Sequence, residues 1–232
     1  MSALAAVFKF WSIQGEAVRM AREEGAGADA IEGSVKLYDA MTLRRLLLER
    51  RPARILEVGS FLGLSARWIL EVTRPWGATL TAVDPNVAHR GFARPLDAAR
   101  RLNREFLPSR LEFVERRFGP EAAAEDPRLK RPFDFVFIDG DHRYEAVRSD
   151  FETASALLSP GGTITFHDAM SSDSVWRLLG EIGSQGVVRV HGARLAGPGT
   201  FRAVRRSGLA SLVRRLNLRA VLMDGIGEFR RS

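Results

Sequence analysis

The stretch Arg54-Ile55-Leu56-Glu57-Val58-Gly59-Ser60-Phe61-Leu62-Gly63-Leu64-Ser65 limits the fold more than any other part of the chain. Mostly apolar residues before Gly59 read as a short buried strand, and after Gly63 the apolar positions Leu64, Trp68, Ile69 and Val72 return at helical spacing. A strand, a glycine turn and the start of a helix follow in that order. Such a turn aims backbone N–H groups at whatever lies above the carboxyl end of the strand, which suits a nucleotide-type group.

From Arg54 onward the elements alternate. A helix runs to Thr73, a strand covers Thr79 to Asp84, a helix spans about Pro95 to Leu107, a strand Leu111 to Val114, and a short helix lies near Glu121. Phe133-Asp134-Phe135-Val136-Phe137-Ile138 is nearly continuous in apolar residues, as a central strand buried on both faces should be. Tyr144, Val147, Phe151, Ala154 and Leu158 mark one helix face, Ser159-Pro160-Gly161-Gly162 turns the chain, and Thr163 to Phe166 is the fifth strand. Strands separated by helices make a parallel sheet, because each parallel crossover needs room for a helix. The expected fold is α/β, a Rossmann-like doubly wound sheet with helices on both faces.

A dinucleotide fingerprint places glycine at its first, third and sixth positions so that the backbone can approach a pyrophosphate, and here the third position is Phe61. Glu57 would set a carboxylate near the ligand, which repels phosphate but suits an ammonium group. S-adenosylmethionine carries an ammonium and no phosphate. Asp84 ends the second strand about 25 residues past Gly59, close to the spacing at which an acid takes ribose hydroxyls.

The segment Glu57 to Ser65, with Asp84 and the later Phe137-Ile138-Asp139-Gly140-Asp141-His142, resembles the class I S-adenosylmethionine-dependent methyltransferases over roughly residues 33 to 206. The resemblance implies a seven-stranded sheet with an antiparallel last strand, for which Val187 to Val190 and Thr200 to Val204 are the candidate final strands. It implies cofactor contacts at Glu57, Gly59, Ser60, Gly63, Ser65 and Asp84. The lead-in Ile31 to Tyr38 resembles the segment that closes over the cofactor in small-molecule O-methyltransferases, although as a sequence it reads equally well as a connector. Residues 1–40 are expected to form a helical extension and lid, 41–207 the methyltransferase core and 208–232 a basic tail.

Asp139 and Asp168 end neighbouring strands and are hard oxygen donors, the ligand type that Mg²⁺ or a similar divalent cation takes. Each also suits the cap of the helix that follows. Asp139-Gly140-Asp141-His142 and His167-Asp168 resemble metal-dependent sugar O-methyltransferases. Carried over, Asp139 is a ligand and catalytic residue, and His142 is the base on the acceptor hydroxyl. That family has an acidic pair where this chain has His167-Asp168, and an imidazole ligand shifts preference toward transition metals. His167 is then a third ligand beside Asp139 and Asp168, a second base or a packed histidine. His89 and His191 have no such neighbours and receive no role.

With 232 residues, 45% of them hydrophobic, the chain can bury one good core. It has no cysteine, which excludes disulfides, thiolate metal sites and cysteine nucleophiles, and the cytoplasm is the simplest compartment. Met1 to Ile13 is apolar but short and broken by Lys9, so it reads neither as a signal peptide nor as a membrane span. The net charge of +7 gathers at the end of the chain, where eight arginines from Arg202 onward face two acids, Asp224 and Glu228. An arginine-rich face without an aromatic and basic repeat is a poor case for nucleic acid. The apolar residues among those arginines, and the N-terminal helix, suit a contact with a second copy.

Three classes of function compete on these grounds. The first is methyl transfer to a hydroxyl of a small sugar, polyol or phenol. The second is a nicotinamide-dependent oxidoreductase, disfavoured by Phe61 and Glu57. The third is a non-catalytic basic binding module.

Overall fold

The computed structural model describes residues 1–27, 30–31, 34–191 and 225–231. Seven strands form one sheet: β1 (Arg54–Val58), β2 (Thr79–Asp84), β3 (Leu111–Glu115), β4 (Phe133–Ile138), β5 (Leu158–Phe166), β6 (Gly186–His191) and β7 (Ile226–Arg231). Their order is β3-β2-β1-β4-β5-β7-β6. The pairs from β3 through β5 are parallel, and β7 runs antiparallel to both β5 and β6. Strand β4 lies centrally between β1 and β5 as its apolar run requires, and Phe135, Val136 and Phe137 are fully buried.

One face of the sheet carries α1 (Ala3–Glu23), α2 (Leu37–Arg50), α3 (Leu64–Thr73) and α4 (Pro95–Leu102). The other carries α5 (Pro120–Glu125), α6 (Tyr144–Ala156) and α7 (Asp173–Ile182). The chain reverses its direction of travel across the sheet after β3, so right-handed crossovers place the later helices on the opposite face.

Helix α1, expected as an appendage, belongs to the core. Its Ala6, Phe10, Ile13, Ala17 and Ala21 are buried, and Phe10 meets Trp68 edge-on at 5.7 Å. Small residues at near-helical intervals let α1 lie close against α2 and α3; their low hydrophobicity masked the stripe. Strand β5 begins at Leu158, before the expected Ser159 to Gly162 turn, and a register shift opposite Phe133 to Phe135 absorbs that segment.

The basic tail also differs from expectation, because its residues 226–231 are strand β7, inserted between β5 and β6. Ile226 and Phe229 are buried, and Gly227 leaves space that Leu179 fills: a Cβ there would lie 2.7 Å from the Leu179 Cδ1. Glu228 is buried as well and is held by Arg50 and His191, each at 2.9 Å. The expected final strand at Thr200 to Val204 and the arginine-rich segment from Leu209 lie outside the described residues.

Candidate active site

Backbone hydrogen bonds extend the sheet past the strand ends and line up its carboxyl edge. Gly59 N–H donates to Val83 O at 2.9 Å, Asp139 N–H to Val58 O at 2.8 Å and His167 N–H to Ile138 O at 2.9 Å. Gly59 has φ +83°, and a Cβ on it would strike the Asp139 carbonyl, so only glycine lets the β1 and β4 turns meet. Asp84, Gly59, Asp139 and Asp168 therefore border one cavity of about 920 Å³, together with Ser60, Ser65 and His142.

At the β2 end, Asp84 Oδ2 accepts the N–H groups of Ser60 at 3.0 Å and Phe61 at 2.9 Å, and Oδ1 accepts Asn86 N–H at 2.7 Å. The N–H groups expected to point at a ligand thus bind the acid that was expected to share it. Phe61 itself is left-handed, with φ +47°, and its ring packs edge-on against His89 at 5.2 Å and Phe92 at 5.9 Å.

Two expected cofactor residues stand behind the cavity wall. Gly63 has φ +73° and abuts Asn103, whose side-chain amide donates to the Gly63 carbonyl at 3.0 Å; this glycine seats α3 against α4. Glu57 is fully buried beneath the turn, near the hydroxyls of Ser60 and Ser65, and neither carboxyl oxygen has an aligned hydrogen bond. Burial pushes its pKa up to about 8, further raised by the charges of Asp139 and Asp84 and opposed by the two serines.

The other end of the cavity holds the ionisable cluster. Asp139, His142 and Asp168 each present a ligand-type atom, all within 4.8 Å of one another. His142 Nε2 lies 3.1 Å from Asp168 Oδ2 and 3.8 Å from Asp139 Oδ1, yet is aligned for a hydrogen bond with neither. His142 belongs to the loop before the α6 N-cap, Arg143, instead of the expected first helical turn. Asp168 is left-handed, with φ +55°, a conformation held by its carbonyl accepting Ser171 N–H at 3.1 Å and Ser172 N–H at 2.8 Å.

His167 lies behind this cluster and is 1% exposed. Its Nδ1 is 3.2 Å from both Asp139 Oδ1 and Asp168 Oδ2, and its Nε2 is 3.6 Å from Asp39 Oδ2. Burial opposes its charged form, but Asp139 and Asp168 prevail and hold the imidazole pKa well above its ordinary value. The Asp168 pKa is lowered in turn: burial works against this, and the charges of His167 and His142 outweigh it. A positively charged His167 is a counter-ion to the two acids and has no lone pair at Nδ1 to give a metal.

Sequence reading missed Asp39 on α2 and Asp150 on α6. Asp39 is fully buried and accepts Gly225 N–H at 3.1 Å, which ties α2 to the start of β7. Asp150 lines the cavity, and burial, with the charge of Asp141 adding, pushes its pKa up to about 7 against the pull of Arg117. Both could have been noticed as lone acids on the inward faces of otherwise apolar helices.

Residues 56–169 match the family model described as "Methyltransferase domain". No curated protein sequence matches the chain. Among solved structures, the O-methyltransferase from Bacillus cereus in complex with S-adenosylhomocysteine is similar at 19% identity, with 95% of this chain and 91% of that one covered and a TM-score of 0.64. The O-methyltransferase TomG of Streptomyces achromogenes, involved in tomaymycin synthesis and solved with S-adenosylmethionine, is 18% identical, with 95% and 89% covered and a TM-score of 0.63. A methyltransferase of Podospora anserina bound to S-adenosylhomocysteine is 16% identical, with 95% and 88% covered and a TM-score of 0.61.

Proposed function

Because residues 56–169 match the family model described as "Methyltransferase domain", we propose that the protein is a class I S-adenosylmethionine-dependent methyltransferase that methylates a hydroxyl of a small sugar, polyol or phenol. The observation that carries this reading is one cavity bordered by the Gly59 turn and Asp84 on one side and by Asp139, His142 and Asp168 on the other. The relatives' binding of S-adenosylmethionine or S-adenosylhomocysteine supports it.

The residues fit that cofactor. Asp84 retains acceptor capacity for ribose hydroxyls beyond the N–H groups it already takes, since a carboxylate offers about four lone-pair sites. Ser60 Oγ is buried without a partner, and Glu57 waits behind it with an unpaired carboxyl. A ligand's ammonium group near these serines would favour the ionised form of Glu57 through one layer of side chains. When bound, S-adenosylmethionine supplies an electrophilic methyl group on a sulfonium.

The chain's own part is alignment and proton removal. We assign His142 as the base that takes the hydroxyl proton, with Asp168 and Asp139 beside it to stabilise the imidazolium that results. A second reading has the His142 nitrogen, together with Asp139 and Asp168, hold a divalent cation, favoured by the lack of an aligned hydrogen bond at Nε2. Such a cation, when bound, would supply charge that favours an ionised hydroxyl, and an imidazole with two carboxylates suits a transition metal. His167 then serves as a buried counter-ion under either reading.

No helix among the described residues is long and apolar enough to cross a membrane. A cytoplasmic location, a small-molecule acceptor and self-association through α1 or the basic segment complete the proposal. No feature of the described residues favours the nicotinamide or basic-module readings. Calorimetry with S-adenosylhomocysteine and with NADH, followed by transfer of labelled methyl to a panel of sugars, polyols and catechols, tests the assignment. Binding of NADH alone would overturn it.

A further inference from the structure

We propose that Asp150 reads the amino-purine edge of the cofactor, accepting a hydrogen bond from the exocyclic amine and donating one to the adjacent ring nitrogen. The inference rests on the reading of the cavity as an S-adenosylmethionine site.

Asp150 sits on the inward face of α6 beside Val147, Phe151 and Ala154, where an apolar residue would be ordinary. It is 8% exposed, it lines the cavity, and it has no hydrogen bond or ion pair among the described residues. Gly140 lies directly against it, since a Cβ at that position would lie 3.2 Å from Asp150 Oδ2, and both residues line the cavity. A buried carboxyl without a partner costs free energy unless a ligand completes it.

The sheet order says which part of the ligand reaches it. Strand ends follow one another as β5, β4, β1, β2 and β3, so the acceptor chemistry at Asp168 and Asp139 lies at one side and the ribose acid Asp84 toward the other. The base attached to that ribose continues past Asp84, into the part of the cavity bounded by Arg117 and Phe118 after β3 and by Asp141 and Asp150 on the α6 side. Phe118 is a buried apolar wall there. Two acids exclude phosphate from this end, and Arg117 discourages a cation. A neutral heterocycle with a donor next to an acceptor remains. The carboxyl pKa, pushed up to about 7, supplies the proton that lets one group serve both atoms.

The test is calorimetric titration of S-adenosylhomocysteine and of its analogue lacking the 6-amino group, on the wild type, Asp150→Asn and Asp150→Leu. The expected result is a wild-type preference of roughly tenfold for the amino form. Asp150→Asn should retain that preference, because an amide also offers an acceptor beside a donor. Asp150→Leu should bind both ligands equally and the amino form roughly 10- to 100-fold more weakly than wild type. Equal affinities of the wild type for both ligands would overturn the role of Asp150 while leaving the cofactor assignment standing. A wild type that binds neither ligand would overturn both. Should Asp150→Leu fail to fold, the wild-type comparison and Asp150→Asn still decide.

Discussion

The carboxylate of Asp84 accepts the backbone N–H of Phe61 at 2.9 Å and fastens a left-handed residue where a pyrophosphate-binding turn has glycine. One Asp84 oxygen takes both Phe61 and Ser60, so the turn bends toward the β2 acid and its first N–H groups are spent inside the protein. The same residue that argues against a dinucleotide in the sequence is, in the structure, the one pinned away from a phosphate.

Asp84→Ala should therefore do two things at once. It removes the proposed ribose partner, and it leaves the N–H groups of Ser60, Phe61 and Asn86 without their acceptor, each effect about 1–3 kcal/mol. Calorimetry should show S-adenosylhomocysteine bound roughly 10- to 100-fold more weakly, and thermal unfolding should occur at lower temperature. Unchanged affinity in a folded variant would remove Asp84 from the cofactor site.

The parallel half of the fold was legible in the sequence because its strands are short, mostly apolar segments that alternate with helical spacing. Glu57, Asp84, Asp139 and Asp168 were legible as strand ends for the same reason. The ligand-facing roles were less so, because one residue of offset decides whether a side chain points into the cavity or into the core. Glu57 and Gly63 fell on the inner side, and His167 faces the acids from within. Strand β7 was hidden by its chemistry: Gly227 and Glu228 read as solvent-exposed, and only the facing Leu179, Arg50 and His191 make them suitable for burial.

The buried Glu228 gives a prediction about acid stability. The hydrogen bond to His191 comes first among the causes that bring its pKa down to about 2, and Arg50 adds to it against the cost of burial. An acid with a depressed folded pKa adds stability above its unfolded value, about 4.5, and loses it as pH falls from there toward 2. Glu228→Gln should cost about 3 kcal/mol at neutral pH and flatten the acid limb of the stability curve, measured by urea unfolding between pH 2 and 7. A truncation that removes 226–232 should be worse, since it exposes the edges of β5 and β6 and the Phe229 site. A truncated chain as stable as the full one would contradict the placement of β7.

Glu57 has the opposite sign. With its folded pKa raised to about 8, the folded state binds a proton that the unfolded state has released, so stability falls as pH rises from about 4.5 to 8. Glu57→Gln removes that dependence and should stabilise the ligand-free protein by several kcal/mol (about 3) at pH 7. It should also weaken S-adenosylhomocysteine, because a neutral amide cannot answer the ligand's ammonium. Chemical denaturation and calorimetry over pH 5 to 9 check both halves. A variant less stable than wild type at pH 8 would mean that Glu57 is ionised and paired in the folded state.

His142 is where base and metal ligation part company. Its Nε2 stands 3.1 Å from Asp168 Oδ2, close enough for the acid to stabilise an imidazolium without binding the nitrogen in an aligned hydrogen bond. A base needs its lone pair for the acceptor's proton, whereas a ligand gives the same lone pair to a cation; one histidine cannot do both at once. If His142 is the base, His142→Ala should lower turnover about 10²–10⁴-fold with S-adenosylhomocysteine affinity unchanged. Chelator treatment should leave the wild-type rate intact. If instead His142 holds a cation with Asp139 and Asp168, removal of metal verified by elemental analysis should abolish turnover as completely as the substitution does, and Asp139→Asn should reduce metal content in parallel. Full activity of His142→Ala would exclude both roles and leave alignment of the two substrates as the protein's whole contribution.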